Sequence, residues 1–295
     1  MVDERVGGER VGDGFDVHRQ RRALFGGAVD RYERGRPGYP EAVYELLERG
    51  CGLGPGAAVL EVGPGPGQVT GPLLARGARV TAVELSDALA DRLRHKHPTP
   101  ALEIVRGAFE SVELPEARFD LAVAAAVFHW VPTEVGLAKL GSALREGGWA
   151  ALWWSVYADA ERHDPLAEPL RRVLTRRAPE LLDDPGAGAH PGQPGLHHGL
   201  QVADRLADFE RTGLFAPARF ELFRWTARHD AEGVRALFGT FSPFLALPPA
   251  TLQATLDDLA AVVDHELGGT VERPYLTPVY LAQRLPRAAS GCAGR

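Results

Sequence analysis

The chain has 295 residues, enough to bury a full core as one elaborated domain or two. Its net charge of −6 argues against a broad nucleic-acid surface, and no apolar run of about 18 residues marks a membrane span. Two cysteines make no disulfide framework and the first residues hold no apolar signal core, so a cytoplasmic location is expected.

Residues 1–24 are charged and poor in large apolar groups, and a mobile tail is expected there. A helix over 16–24 covering the core is the alternative. The stretch 25–40 places Arg36 and Tyr39 each before a proline, which biases both toward extended backbone. With Tyr32 it suits either a cover over a pocket or an ordinary capping loop. Pro40 starts a helix with Val43, Leu46 and Leu47 on one face, and 50–56 is a loop.

Val59, Leu60 and Val62 are β-favouring and broken only by Glu61, as in a buried strand. Gly63, Gly65 and Gly67 follow at every second position, and 68–75 reads as a helix entrance. A strand, a glycine turn and a helix make a nucleotide-cradling unit, because glycine lets the backbone turn sharply and approach a ligand closely. The spacing is not the dinucleotide G-x-G-x-x-G, since position 68 is Gln68 and the third glycine comes one residue early.

A second strand is expected over 79–84. Its terminal Glu84 lies about 20 residues after the first glycine, where its carboxylate would accept hydrogen bonds from both hydroxyls of a ribose. That feature does not separate a nicotinamide cofactor from an adenosyl one. Ser86 caps a helix over 87–97. Strands follow over 102–106 and 119–125, a helix over 133–144, a turn over 145–148 and a fifth strand over 149–155. Five strands alternating with helices imply a parallel sheet with right-handed crossovers. His129 falls just past the fourth strand, where ligands sit in open α/β sheets.

Glu61 two residues before G-P-G-P-G resembles the first motif of class I S-adenosylmethionine-dependent methyltransferases. Two further strings are similar to the trans-aconitate-methyltransferase-like (methyltransferase type 11) branch of that family, and a third resembles a feature common in the family at large. They are Y-x-x-x-R-P-x-Y-P from Tyr32, A-x-x-F-H-W-V from Ala125, and L-R-x-G-G from Leu144. The resemblance covers 25–155 well and 215–285 weakly. It implies an α/β, Rossmann-like doubly wound sheet of about seven strands, the last antiparallel, with helical lid insertions. It implies S-adenosyl-L-methionine as cofactor and S-adenosyl-L-homocysteine as product. Cofactor contacts are then expected from Tyr32, Arg36, Glu61, Gly63, Pro64, Gly65, Gly67, Gln68, Glu84, Leu85, Ala108, Phe109, Glu110 and Ala124. The family's acidic residue after the third strand's glycine is Ala108 here. Its contact falls to Glu110, or the adenine is held by backbone and Phe109.

Beyond 155 the composition changes. Helices are expected over 164–178, 200–212, 232–241 and 251–267, and strands over 218–226 and 274–285, where Pro278 implies an edge or a bulge. The loop 180–199 carries His190, His197 and His198, but no partner Cys or spaced carboxylate, so no metal is expected. The resulting division is a tail at 1–24, a cofactor core at 25–155 and a lid insertion at 156–215. The last two strands lie in 216–285 with inserted helices 231–267, and a tail at 286–295 ends the chain.

Methyl transfer from a sulfonium needs alignment and exclusion of water, and no protein nucleophile. The chain has no G-x-S-x-G and no P-loop lysine. The expected acceptor is a small, apolar or aromatic molecule methylated on carbon, nitrogen or oxygen, plausibly in specialised metabolism. Its walls are expected to include Phe128, His129, Trp130, Trp154, Tyr157 and Phe241. His129 is a candidate base for a weakly nucleophilic acceptor and Tyr32 a group that orients it; packing of His129 against Trp130 is the alternative. No nucleic-acid or membrane partner is expected, and the chain is expected to be a monomer or homodimer. An NAD(P)-dependent oxidoreductase on the same topology and a non-catalytic S-adenosylmethionine-binding module remain the other two readings.

Overall fold

A computed structural model describes residues 29–182 and 197–286. The expected tail at 1–24, His190 and residues 287–295 lie outside the described residues.

The first element among the described residues is helix α1 (Val29–Gly35), in the stretch read from sequence as a cover or a capping loop. Helix α2 (Glu41–Cys51) starts after Pro40 and ends at Gly52, whose left-handed backbone (φ 75°) returns its N–H to Leu47 O. Then come β1 (Ala58–Val62), α3 (Thr70–Ala75), β2 (Arg79–Glu84), α4 (Asp87–Lys96), β3 (Leu102–Arg106) and β4 (Phe119–Ala125). Ser86 caps α4 as expected, its side chain accepting from Leu89 N. A short turn of 3₁₀ helix (Phe128–Trp130) leads to α5 (Thr133–Ala143) and β5 (Leu144–Trp153). Strand β5 therefore begins at Leu144 and runs through the expected turn at 145–148. Its register against β4 shifts between Phe119 and Leu121, and Gly147 takes φ 75° there. The second half holds α6 (Ala167–Arg177), α7 (Val202–Arg211), β6 (Arg219–Asp230), α8 (Ala231–Phe238), α9 (Ser242–Leu245), α10 (Pro249–His265) and β7 (Thr270–Gln283).

The seven strands form one sheet in the order β3-β2-β1-β4-β5-β7-β6. Strands β1 to β5 are parallel, and β7 runs antiparallel to both β5 and β6. The strand order reverses between β1 and β4, which opens a crevice at their carboxyl ends. Pro278 lies inside the interior strand β7, not at an edge. It sits opposite Trp154, just past the end of β5: Trp154 N donates to Pro278 O at 3.3 Å with no bond returned, and the pairing resumes at Val156 and Leu276, which exchange bonds at 2.8 and 3.0 Å.

Alternate residues of the strands feed two cores. Val59, Leu121 and Trp153 pack with Val43, Leu47 and Leu73 on one face. Leu60, Ala122 and Leu152 pack with Leu137, Leu140 and Phe209 on the other. A third cluster joins α6 to α8, α9 and α10 through Leu170, Leu174, Leu237, Phe238, Phe244 and Leu259. Of the insertion read over 156–215, the part around α6 enters this third cluster, while α7 lies on the sheet with Phe209 beside Phe215.

A buried ion pair fastens the third cluster to the sheet. Arg273 of β7 donates from Nη2 to Asp164 Oδ2 at 2.7 Å and from Nε at 3.0 Å, both side chains 1% exposed. The same Nη2 reaches Tyr157 O at 3.3 Å, and the guanidinium lies 5.4 Å from the Phe238 ring centre. Removing one partner strands the other charge in the interior. Asp164→Ala should therefore cost about 3–5 kcal/mol of stability in urea unfolding. Pairing Asp164→Leu with Arg273→Met should restore most of that loss, and an Asp164→Ala midpoint equal to the wild type would refute the assignment.

Candidate active site

The loop from β1 to α3 turns on three glycines with positive φ: Gly63 (63°), Gly65 (56°) and Gly67 (91°). Their surroundings differ. A Cβ at Gly63 would lie 2.5 Å from Val127 Cγ2, and one at Gly67 would lie 2.7 Å from Leu93 Cδ1 and 2.9 Å from His97 Nε2. Those two glycines let neighbours pack. A Cβ at Gly65 would meet nothing within 4 Å. The turn is thus open to a ligand at its middle glycine.

Glu84, at the carboxyl end of β2, is 6% exposed and accepts from Gly65 N at 3.1 Å and Ser86 N at 2.8 Å. Burial pushes its carboxyl up, and the backbone N–H bonds oppose that shift. A carboxylate offers about four lone-pair sites, so hydrogen-bonding capacity remains beside the open glycine. Glu61 lies behind the turn, 2% exposed. Thr70 Oγ1 donates to its Oε2 at 2.6 Å, tying the first residue of α3 to β1. Burial pushes the Glu61 carboxyl up to about 8, and nearby Glu84 adds to this. Pro64 is buried in the turn and Leu85 half-buried after β2. Asp120 accepts from Ala58 N at 2.7 Å, at the opposite end of the strands from this turn.

The cover crosses the turn. Gln68 Nε2 donates to Arg36 O at 2.7 Å. Arg36 Nε donates to Thr240 Oγ1 and Nη1 to the Tyr157 hydroxyl, each at 3.0 Å. The guanidinium lies 5.0 Å from the ring centre of Tyr32 and 5.2 Å from that of Phe241. Tyr39 stacks edge-on against Trp153, with ring centres 5.6 Å apart. Burial pushes the Tyr157 phenol up, outweighing the opposing pull of Arg36, so it stays protonated at neutral pH. On the cover's outer side Glu33 of α1 takes Lys96 Nζ at 3.0 Å and Arg92 Nη2 at 2.5 Å, and Lys96 also donates to Pro66 O at 3.2 Å.

A second group of rings stands after β4 and β5. Trp154, 2% exposed, donates from Nε1 to His129 Nδ1 at 3.2 Å. His129 is itself exposed, with ring centres of Trp130 at 4.8 Å and His198 at 4.5 Å. His198 stacks on His197 at 4.5 Å. Burial pushes these two rings down to about 4 and about 3, so both are neutral at pH 7. A small cavity beside His129 is lined by Phe128, Trp154, Arg205, Asp208 and Tyr280.

Tyr32, Arg36, Tyr157 and Phe241 thus come together over the turn, and His129, Trp130 and Trp154 form the neighbouring wall. Three expected contacts face elsewhere. The side chains of Ala124 (0% exposed), Phe109 (4%) and Phe128 (4%) belong to the sheet's core cluster. Only the backbone of Ala124 can meet a ligand, and Phe109 is backed by the Lys139 ammonium 5.5 Å from its ring centre. Ala108 is buried and Glu110 half-buried beside it. Thr240 was not singled out from the sequence, and nothing local marks it. Of the histidines weighed there as possible metal ligands, His198 meets His129 and His197 stacks on His198. Among the described residues no group of three His, Cys, Asp or Glu could hold a metal ion, and no helix is long and apolar enough to cross a membrane.

Comparison with known proteins agrees with this crevice. Residues 60–152 match the family described as a methyltransferase domain. An uncharacterized methyltransferase of Mycobacterium tuberculosis is 37% identical over 135 residues, 45% of this chain and 52% of that protein. The match thus spans about half the length of that relative. An uncharacterized methyltransferase of Schizosaccharomyces pombe is 23% identical over 262 residues, 86% of this chain and 94% of its own. Among solved structures, a putative type II methyltransferase from Anaeromyxobacter dehalogenans superposes with a TM-score of 0.57 at 20% identity, covering 85% of this chain and 99% of that one. A Haemonchus contortus phosphoethanolamine-type N-methyltransferase, solved with phosphomonomethylethanolamine and S-adenosylhomocysteine, gives 0.55 at 14% identity, covering 92% of this chain and 60% of that one.

The Glu61 carboxyl sets a pH test. In the unfolded chain it titrates near its ordinary value of 4.5, and in the folded chain at about 8. Between those values the folded state binds more protons, so this group makes stability fall as pH rises, and the loss is complete above about pH 8. Glu61→Gln keeps an acceptor for Thr70 and removes that dependence. The melting temperature of the variant minus that of the wild type should climb from about pH 5 to about pH 8. A difference that stays flat with pH would refute the assignment.

Proposed function

Taking residues 60–152 as a class I methyltransferase domain, we propose that the protein moves the methyl group of S-adenosyl-L-methionine to a small acceptor. One observation carries the reading: the open left-handed Gly65 stands against the Glu84 carboxylate at the carboxyl end of β2, under a cover fastened through Gln68 and Arg36. When bound there, the cofactor supplies an electrophilic methyl group on a sulfonium. The chain's own residues do the rest. Glu84 holds the ribose hydroxyls with its remaining lone pairs. Gly65 lets the backbone approach, and Leu85, Ala108, Glu110 and the backbone of Ala124 line the adenine side. Glu61 keeps the turn on β1 through Thr70. Tyr32 and Arg36 close the site from above and exclude water.

The helical cluster of α6, α8, α9 and α10 forms the lid and sets the choice of acceptor. The aromatic rings of Tyr157 and Phe241 on one side, and of Trp130 and Trp154 on the other, support a small apolar or aromatic acceptor. His129 stands at the acceptor's edge. The net charge of −6 favours a small-molecule over a nucleic-acid partner, and the buried free thiol of Cys51 suits a reducing cytoplasm.

Ligand-dependent stabilisation tests this. S-adenosylhomocysteine at about 100 times its dissociation constant should add about 2.7 kcal/mol, a rise of several degrees in melting temperature, and NAD should add nothing. The reverse preference would replace this reading with an oxidoreductase. Glu84→Ala should weaken calorimetric binding of S-adenosylhomocysteine by about 1–3 kcal/mol, roughly 5- to 150-fold. Unchanged affinity would show that Glu84 does not hold the ribose.

A further inference from the structure

Helix α1 is held to the rest of the molecule on two sides. At its carboxyl end Gly35 packs against the Leu237 backbone on α8, and Arg36 bonds Thr240 and Tyr157. On its outer side the Glu33 carboxylate meets α4. Arg92 and Lys96 stand four residues apart on α4, so their like charges are neighbours on one face. Glu33 bonds both. Its Oε2 accepts from Arg92 Nε at 3.0 Å and Nη2 at 2.5 Å, and its Oε1 from Lys96 Nζ at 3.0 Å. The Glu33 side chain is only 16% exposed. Burial raises its carboxyl, but the bonds from Arg92 and Lys96 outweigh that and hold it below the ordinary carboxylate value.

Lys96 does something an ordinary surface ion pair does not. Its ammonium carries three donors, and it also reaches Pro66 O at 3.2 Å, inside the glycine turn between Gly65 and Gly67. One side chain therefore joins α1, α4 and the turn. Two residues further along, Gln68 Nε2 donates to Arg36 O at 2.7 Å, just past the end of α1. The turn is thus tied to the cover at Pro66 and at Gln68, directly beside Gly65, where a Cβ would meet nothing within 4 Å.

We propose that Lys96 is a positioning residue: with Glu33 it clasps α1 to the glycine turn, and this clasp sets how fast a ligand at the turn exchanges. The clasp stands on the contacts alone; that the ligand is the methyl donor or its product rests on the methyltransferase reading. Glu33 carries the cover, Lys96 holds the cover and the turn together, and Arg92 steadies Glu33 from one turn back along α4. The links are ionic, and the Arg92 and Lys96 side chains are 42% and 41% exposed, so added salt screens them. The Arg36 bonds on the other side run to hydroxyls and a carbonyl, which salt affects less. An ion pair that served only the fold would shift the unfolding midpoint and leave exchange at the turn untouched.

Stopped-flow displacement of S-adenosylhomocysteine from the full chain tests the clasp. Glu33→Gln and Lys96→Met should each speed dissociation about 3- to 5-fold at low salt, and Lys96→Arg, which keeps the cation, should stay close to the wild type. Raising the salt from about 0.02 to about 0.5 M should speed dissociation from the wild type and leave Glu33→Gln nearly unchanged. Amide hydrogen exchange supplies a readout without ligand. The Arg36 N–H, bonded to Tyr32 O, and the Gly67 N–H, bonded to Pro64 O, should exchange faster in both variants, and the β1 and β4 amides should not. Dissociation and amide exchange that match the wild type in folded Glu33→Gln or Lys96→Met would overturn the proposal. So would a wild-type dissociation rate indifferent to salt, whether or not the variants fold. Failure of S-adenosylhomocysteine to bind the wild type would sink the methyltransferase reading instead, and amide exchange would still decide the clasp.

Discussion

The left-handed turn between β1 and α3 is the constraint on which the rest of the molecule depends. Its three positive-φ glycines reverse the chain at the reversal of strand order, where the crevice opens. Side chains from several elements grip it. Glu84 takes the Gly65 N–H from β2, Glu61 takes the Thr70 hydroxyl from β1, and Lys96 reaches Pro66 O from the end of α4. Gln68 leaves the turn itself to hold the cover at Arg36. A side chain at Gly63 or Gly67 would collide with Val127 or with Leu93 and His97, so the packing around the turn needs glycine as much as the turn does.

Two buried carboxyls share this small region, and the structure treats them differently. Burial penalises the charged form of both. Glu84 receives backbone N–H bonds from Gly65 and Ser86, which favour its ionised form. Glu61 has a hydroxyl partner and a like-charged neighbour, and is pushed to about 8. Both carboxyls are thereby pushed in the same direction, with the backbone N–H bonds opposing the shift at Glu84.

The cover, the sheet and the helical cluster meet at one guanidinium. Among the described residues the partners of Arg36 are hydroxyls, a carbonyl and aromatic faces, not a carboxylate. Gly35 makes the approach possible: a Cβ there would lie 2.3 Å from Leu237 N on α8. Tyr157 connects this junction to the buried Arg273–Asp164 pair, since its carbonyl accepts from Arg273 while its hydroxyl accepts from Arg36. The wall facing the crevice is thus anchored in the sheet and in the cluster together.

Local signals made much of this legible in the sequence. Near-continuous apolar, β-favouring residues marked the first parallel strand, the glycine spacing marked the turn, and Ser86 marked the start of α4, because each depends on neighbours a few residues away. Glu84 was found through its distance from the turn. What stayed hidden depends on contacts across long stretches of chain. Thr240 meets Arg36 from 204 residues away, and no local pattern records that pairing. Whether an aromatic lines the crevice or fills the core depends on which strand face it joins, and so Phe109 and Phe128 went to the core while Tyr157 and Phe241 went to the junction. Pro278 argued for an edge or a bulge by its missing N–H, yet it occupies an interior strand, where one bond to Trp154 goes unreturned and the pairing resumes at Val156 and Leu276. The sequence by itself determined the glycine turn and the carboxylate beside it, because both belong to one turn and two strand ends. Tertiary structure alone decided which rings stand beside His129, because Trp154 directly follows β5 and reaches His129 only when β4 and β5 pair.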